Sequence, residues 1–203
     1  MSSRYCARRA KRACLGKRAT KVGTSANNTI YGTQNADVIV GLGGRDTIYG
    51  YGGNDTICGG DGDDSLNGDE GNDNIIGDNG NDYIQGGPGA DVALNGKNGY
   101  DDVYGGTGND TVRGGAQGDY VNGNDGADMV YGDLGDDTVV DYEYGTSFTD
   151  RLYGGDGEDY LAATDYDSTV TQLSDYLDGG TLSDTCEADN EDNVTSCETV
   201  YRY

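Results

Sequence analysis

Residues 41–76 read GLGGRDTIY, GYGGNDTIC, GGDGDDSLN and GDEGNDNII, four consecutive blocks of nine. Each block opens on Gly, has Gly at its fourth place and Asp at its sixth, and closes on three residues with Ile or Leu in the middle. Working outward, the spacing runs back to GTQNADVIV at Gly32 and forward through GDNGNDYIQ and GGPGADVAL. One extra residue, assigned to Asn95, intervenes, and the series resumes at Gly96 with GKNGYDDVY, GGTGNDTVR, GGAQGDYVN, GNDGADMVY and GDLGDDTVV, ending at Val140. Residues 141–149 break the period, TDRLYGGDGEDYLA restores it, and residues 163–172 break it again before SDYLDGGTLSDTCE. GTSANNTIY from Gly23 is a degenerate copy with Asn28 in place of the Asp.

A repeat this regular sets the fold. The last three places of each unit predict a short strand whose middle side chain points inward. Those residues are Ile39, Ile48, Ile57, Leu66, Ile75, Ile84, Val103, Val112, Val121, Val130 and Val139, branched aliphatics of which Ile and Val favour strands. The G-x-x-G turn before each strand needs backbone shapes that a Cβ resists. Two nonapeptides make one turn of 18 residues, so the chain is expected to be all-β, with two stacks of parallel strands around a thin aliphatic seam. Roughly eight turns fit the length.

That seam buries one aliphatic side chain per nine residues, too little to offset the entropy of ordering the chain. The Asp at the sixth place suggests what supplies the rest. Asp37, Asp46, Asp55, Asp64, Asp73, Asp82, Asp91, Asp101, Asp110, Asp119, Asp128 and Asp137 recur so that residues 18 apart fall on neighbouring turns. Carboxylates stacked at strand spacing repel unless a cation lies between them. Carboxylates and turn carbonyls make an all-oxygen cage, which suits Ca²⁺ better than Mg²⁺. Asx-turns alone would be the structural alternative, but turns do not demand Asp at one fixed place in every unit. Asp61, Asp63, Asp69, Asp78, Asp133 and Asp136 add acid to the turns and can tune affinity.

The pattern G-G-x-G-x-D-x-U-x resembles the hemolysin-type (RTX) calcium-binding repeat over residues 23–198. The resemblance implies a right-handed parallel β-roll, a β-solenoid with two nonapeptides per turn, holding multiple Ca²⁺ ions. It also implies that the sixth-place Asp side chains, Asp159 included, and the G-x-G-x carbonyls are the ligands. The fourth-place glycines of those turns are Gly44, Gly53, Gly62, Gly71, Gly80, Gly89, Gly99, Gly108, Gly126 and Gly135. Asn35 and Gln117 replace such a Gly and Asn28 replaces an Asp, so their sites are expected to be weaker or empty. The breaks at Asn95, 141–149 and 163–172 disturb pairing, making Asp150, Asp159, Asp175 and Asp184 lower-grade ligands. Occupancy is expected to be densest between residues 41 and 140. The wording CLGKRATKVGT near the start and DTC…VTSCE near the end further resembles cysteine-containing secreted bacterial members.

Composition limits the function classes. The chain has 203 residues with 37 Asp and Glu against 13 Lys and Arg, a net charge of −24, and no His. Without His, His-based triads and most Zn, Fe or Cu sites are excluded. The acidic body argues against nucleic acid as a partner, and no apolar run is long enough to span a bilayer. The bases are concentrated in residues 1–22, a basic arm that begins like a signal peptide but continues without an apolar stretch. Residues 199–203 read as a tail.

Five cysteines, Cys6, Cys14, Cys58, Cys186 and Cys197, form no CxxC pair. Disulfides fit a calcium-dependent, extracellular protein better than a metal or redox motif. Cys186 and Cys197 would clamp the terminal turn, and the arm could fold over outward-facing Cys58 to bond Cys14, leaving Cys6 odd. Free thiols are the alternative for each pair. Outward tyrosines (Tyr31, Tyr49, Tyr83, Tyr104, Tyr120, Tyr131, Tyr153, Tyr160, Tyr176) can build ladders for glycan stacking or protein contact, although strand preference alone explains many of them.

These readings converge on a secreted bacterial calcium-binding protein that folds on Ca²⁺ and serves as a structural, cell-surface or matrix module. No catalysis is expected, since only 22 residues precede the repeats and about five follow. Two alternatives are a head-to-tail filament subunit, joined through the charge asymmetry and Cys6, and an accessory RTX module of a secreted enzyme. Further copies of the chain, or acidic polysaccharide and other cell-surface components held by the arm, are the candidate partners.

Overall fold

A computed structural model of the chain describes residues 13–143, 148–165 and 174–202. Cys6 and most of the basic arm lie outside the described residues, as do parts of both irregular stretches. The described residues form a parallel β-solenoid without helix. Two ten-stranded sheets face each other, and each strand pairs with the strand two further along the chain. Register is that of the repeat: Ile39 lies beside Ile57 and Ile57 beside Ile75 in one sheet, and Ile48 beside Leu66 in the other. The residues expected to point inward are all fully buried between the sheets and form one continuous core.

The extra residue falls elsewhere than expected. Leu94, not Ala93, fills the core position, and Asn95 takes the outward place of the strand Ala93–Asn98. Val92 is pushed out of the turn and is 59% exposed. Burying Leu in the seam gains more than burying Ala, while a bulge in a surface turn disturbs no sheet pairing.

The backbone shape that the G-x-x-G reading assigns to its glycines is found at the fourth place and not at the first. Left-handed backbone occurs at the second and fourth places: φ is 118° at Gly60 and 130° at Gly62. Several units hold a non-Gly residue in this conformation at the second place, among them Leu42, Tyr51 and Lys97. The first-place Gly has no such φ; it is required because a Cβ there would run into the sixth-place carboxylate. Gln117, at a fourth place, has φ 77°. Gln117→Gly is therefore expected to raise stability by about 0.5–1 kcal/mol, measured by unfolding in saturating Ca²⁺. A decrease would show that the amide side chain contributes more than the backbone strain costs.

The irregular stretches begin in regular pairing. Asp141, Tyr142 and Glu143 lie beside Ala163, Thr164 and Asp165, so both strands keep the six-residue length of their neighbours. Residues 144–147 and 166–173 are outside the described residues. The assigned tail supplies a strand of its own, with Thr199–Arg202 paired to Thr185–Ala188 as the last member of its sheet.

Two disulfides are present, Cys14–Cys58 and Cys186–Cys197, with Cα–Cα separations of 5.8 and 6.1 Å. Cys14 sits on a small antiparallel hairpin, Ala13–Cys14 with Lys17–Arg18, packed over Val40 and Cys58 on the outer face of one sheet. Lys17 Nζ donates to Thr56 Oγ1 at 2.9 Å, holding the hairpin down. At the other end, Cys186 is wholly buried and Cys197 packs against the core. Replacing Cys186 and Cys197 by Ala is expected to cost about 2–3 kcal/mol, because the short loop regains freedom in the unfolded chain. Denaturant unfolding of the double variant in Ca²⁺ checks this; an unchanged midpoint would show that packing alone holds the last turn.

Candidate metal centre

The sixth-place Asp side chains form two ladders, one along each edge of the solenoid. Within each, one carboxylate oxygen reaches back one turn to the backbone of the preceding Asp. Asp55 Oδ1 accepts from Asp37 N–H at 2.7 Å, Asp73 Oδ1 from Asp55 N–H at 2.7 Å, and Asp91 Oδ1 from Asp73 N–H at 2.6 Å. The second ladder runs through Asp46, Asp64, Asp82, Asp101, Asp119 and Asp137. These bonds fix the carboxylates on strand ends already placed by the aliphatic seam.

In twelve of these groups the other oxygen is left over. Oδ2 of Asp46, Asp55, Asp64, Asp73, Asp82, Asp91, Asp101, Asp110, Asp119, Asp137, Asp159 and Asp184 is buried and has no hydrogen-bond partner. A buried ionised oxygen without a partner is costly, and native proteins rarely keep one unless a metal or a proton satisfies it. The surroundings supply further oxygen. A Cβ built on Gly41 would meet Asp46 Oδ2 and, at 2.5 Å, the carbonyl of Gly59 in the next turn. The same arrangement recurs at Gly50, with Asp55 Oδ2 and the carbonyl of Gly68. The space that first-place glycines such as Gly41, Gly50, Gly59, Gly68 and Gly77 leave open is thus lined by a carboxylate and a carbonyl. Hard oxygen donors with negative charge fit Ca²⁺.

Electrostatics agrees. Without a cation, burial pushes the Asp119 carboxyl up to about 8 and those of Asp55, Asp82, Asp91 and Asp137 up to about 7. Asp64, Asp101, Asp110 and Asp159 rise to about 6 for the same reason. The backbone hydrogen bond to each group works in the opposite direction and is outweighed by the loss of water. Neighbouring carboxylates add repulsion at Asp119, from Asp101 and Asp137 on either side.

The ladder runs through the breaks that the repeat spacing suggested would disturb it. Asp82 N–H reaches Asp101 and Asp91 N–H reaches Asp110, both across the Val92 bulge at 2.8 Å. Asp128 N–H reaches Asp150 Oδ1 at 2.7 Å, and Asp137 N–H reaches Asp159 Oδ1 at 2.9 Å, each across 22 residues. Asp150 and Asp159 continue to Asp175 and Asp184 across 25 residues. The described residues on either side of each break therefore still stack turn on turn.

Asp37 differs from the rest. Its Oδ1 accepts from Thr20 Oγ1 at 2.8 Å and its Oδ2 from Thr33 Oγ1 at 2.9 Å, so hydroxyls satisfy both oxygens at the first turn. The fourth-place glycines lie where the repeat puts them, but their N–H groups bind the following turn, as Gly44 N–H does Asp61 O at 2.8 Å.

Three contributions escaped the repeat reading. Asp141 stands where the pattern has its first Gly, and its carboxylate lies with those of Asp128 and Asp150, the oxygens within 4.8 Å of one another and all three residues buried. The signal was an acid at a Gly place, hidden because the period breaks there. Asp192 accepts from Asp175 N–H at 3.0 Å and Glu198 Oε2 from Asp184 N–H at 2.7 Å, so they end the two ladders. Fifth-place Asn and Asp side chains make further ladders, reaching forward instead of back: Asn54 Oδ1 accepts from Asn72 N–H and Asn72 Oδ1 from Ala90 N–H, both at 3.1 Å.

Parallel strands, left-handed glycine turns and columns of half-satisfied buried carboxylates together define a cation-binding β-roll. The sequence model of the RTX calcium-binding nonapeptide repeat matches residues 22–57, 31–66, 59–93, 94–121, 104–139 and 144–165. These segments cover more than half of the chain, which belongs to the RTX calcium-binding nonapeptide repeat family. No curated protein matches it.

Proposed function

We propose that this calcium-binding repeat module is a secreted bacterial protein that folds when Ca²⁺ binds and acts as a structural, cell-surface or matrix component without catalysis. The observation that carries the reading is the row of buried Asp Oδ2 atoms lacking any hydrogen bond. With Ca²⁺ scarce, as in a cytosol, these carboxylates keep the chain an expanded polyanion suited to export. Abundant external Ca²⁺ then supplies the folding free energy. The two disulfides fit an oxidising compartment.

The test is a far-UV circular dichroism titration of the chelator-treated chain with Ca²⁺, and with Mg²⁺ as control. A cooperative gain of β signal with Ca²⁺ alone is expected. Full β signal in chelator at pH 8, or an equal response to Mg²⁺, would overturn the reading.

A head-to-tail filament is the second reading. It is favoured by the edge strands at both ends of each sheet, of which Thr199–Arg202 is exposed along its whole length. Electron micrographs showing only separate monomers in Ca²⁺ would exclude it.

A further inference from the structure

The tyrosines of the outer faces fall into two kinds. Tyr131 lies between the Arg113 guanidinium, 3.9 Å from its ring centroid, and Tyr153, stacked at 4.8 Å with the planes 8° apart. Tyr104 is likewise held between Tyr83 and Tyr120, at 5.4 and 5.6 Å. Both faces of Tyr131 are taken and Tyr104 is flanked by tilted rings on neighbouring strands, as strand stacking alone would produce.

Tyr31, Tyr49 and Tyr51 are arranged differently. Their centroids are 5.6, 6.1 and 6.4 Å apart and their planes lie within 18° of one another. Three nearly parallel rings at almost equal separations cannot form one face-to-face column, because the outer two would then be twice as far apart as neighbours. They form a stepped terrace of offset parallel rings. Tyr31 is 53% and Tyr51 42% exposed, so the terrace is open to solvent. Tyr51 holds its ring there from a left-handed backbone position, φ 76°, where other turns have Gly.

The terrace carries no charge of its own, and the charged groups bordering it at Tyr51 are acids, since Asp69 Oδ2 accepts from Tyr51 N–H at 3.1 Å and Glu70 N–H donates to Tyr51 O. Its strands, Thr29–Thr33 (TIYGT) and Thr47–Tyr51 (TIYGY), contain no charged residue, nor does the next strand of the sheet, Ser65–Asn67. Single-stranded nucleic acid also stacks on aromatic platforms, but it needs cations for its phosphates, and among the described residues these strands supply none. Flat apolar ring faces edged by phenol and threonine hydroxyls match a ligand that is itself flat, apolar on its faces and hydroxylated at its rim. Pyranose rings of an extended neutral polysaccharide have that form. We propose that Tyr31, Tyr49 and Tyr51 form a binding platform for a neutral β-linked glycan.

The test uses the full chain loaded with Ca²⁺ and cellohexaose as probe, with polygalacturonate for comparison, followed by calorimetry and by tyrosine emission, which no Trp obscures. Tyr51→Gly is the informative variant, since Gly accepts the left-handed backbone and the roll stays folded by circular dichroism. Cellohexaose binding that weakens at least tenfold in Tyr51→Gly and in Tyr31→Ala, and is unchanged in Tyr153→Ala, is expected. Failure of the wild type to bind cellohexaose, equal binding by Tyr51→Gly, or equally strong binding of polygalacturonate would overturn the proposal. So would sedimentation of the wild type as a dimer that Tyr51→Gly dissolves, which would make a second copy the occupant. Each of these leaves the calcium-driven fold untouched, because that is read separately by its β signal.

Discussion

In chelator, the chain is expected to gain β-sheet as the pH falls from 8 towards 4, with acid doing part of what Ca²⁺ does. In the metal-free fold nine of the column carboxyls are raised to between about 6 and about 8, with Asp119 the highest, Asp55, Asp82, Asp91 and Asp137 at about 7, and Asp64, Asp101, Asp110 and Asp159 at about 6. In the unfolded chain they titrate near 4. Between these limits the folded state binds more protons than the unfolded one, so its stability falls as pH rises through the window. Below about pH 4 both states are protonated and the handicap disappears; above about pH 8 it is complete. At about 1.4 kcal/mol per pH unit, each raised carboxyl costs the metal-free fold on the order of a few kcal/mol at pH 8. Several such groups together exceed what one aliphatic residue per nonapeptide can offset.

Two measurements check this. Far-UV circular dichroism in chelator should show the β signal rising on acidification, and a flat profile would show that the buried carboxylates tolerate their charge unaided. Calorimetry at pH 6.5 in buffers of different ionisation heat should show Ca²⁺ binding releasing protons, with affinity increasing from pH 5.5 to pH 8. Affinity independent of pH across that range would contradict the assignment of these groups as ligands.

Gly77→Ala is expected to raise the Ca²⁺ midpoint for folding at least tenfold and to cost about 1–3 kcal/mol in saturating Ca²⁺. The added Cβ would run into Asp82 Oδ2 and come within 2.8 Å of the Gly96 carbonyl, two oxygens that line one cradle. Neither can yield easily: Asp82 Oδ1 is held by Asp64 N–H at 2.8 Å, and Gly96 lies on a paired strand. Gly43→Ala is the matched control. A Cβ there would meet Asp61 only at ordinary contact distances, 3.5 Å and beyond, so Ca²⁺ response and stability should stay near wild type. If both variants behave alike, the first-place Gly is a turn residue only, and the cradle is not where the cation sits.

Much of this could be read before any coordinates, for a simple reason. A solenoid turns tertiary contacts into fixed sequence offsets. Once the period of nine is seen, Ile48 must lie beside Leu66 and Asp46 beneath Asp64, without any knowledge of the rest of the chain. The core residues, the carboxylate columns and the all-β class all follow from offset and direction along a strand, whereas each of the two cysteine pairings is one of two readings, and the structure decides between them.

What the spacing could not decide are the contacts in which a residue leaves its offset. Val92 rather than Asn95 carries the extra length, because the seam selects Leu94 by its volume, and volume competes with spacing only when the core is assembled. Asp37 has the right place but meets the hydroxyls of Thr20 and Thr33, a matter of where the first turn happens to pack. Asp141 joins Asp128 and Asp150 across a break in the period, where no offset points to it. The stack at Tyr131 and the terrace at Tyr31, Tyr49 and Tyr51 look alike as letters, and only side-chain packing separates rings with both faces covered from rings open to solvent. Sequence by itself thus determined the repeat, the inner seam and the acid columns, since each depends on distance along a periodic chain. Tertiary structure alone decided which oxygens remain unsatisfied and which rings remain uncovered, since those depend on neighbours brought in from other turns.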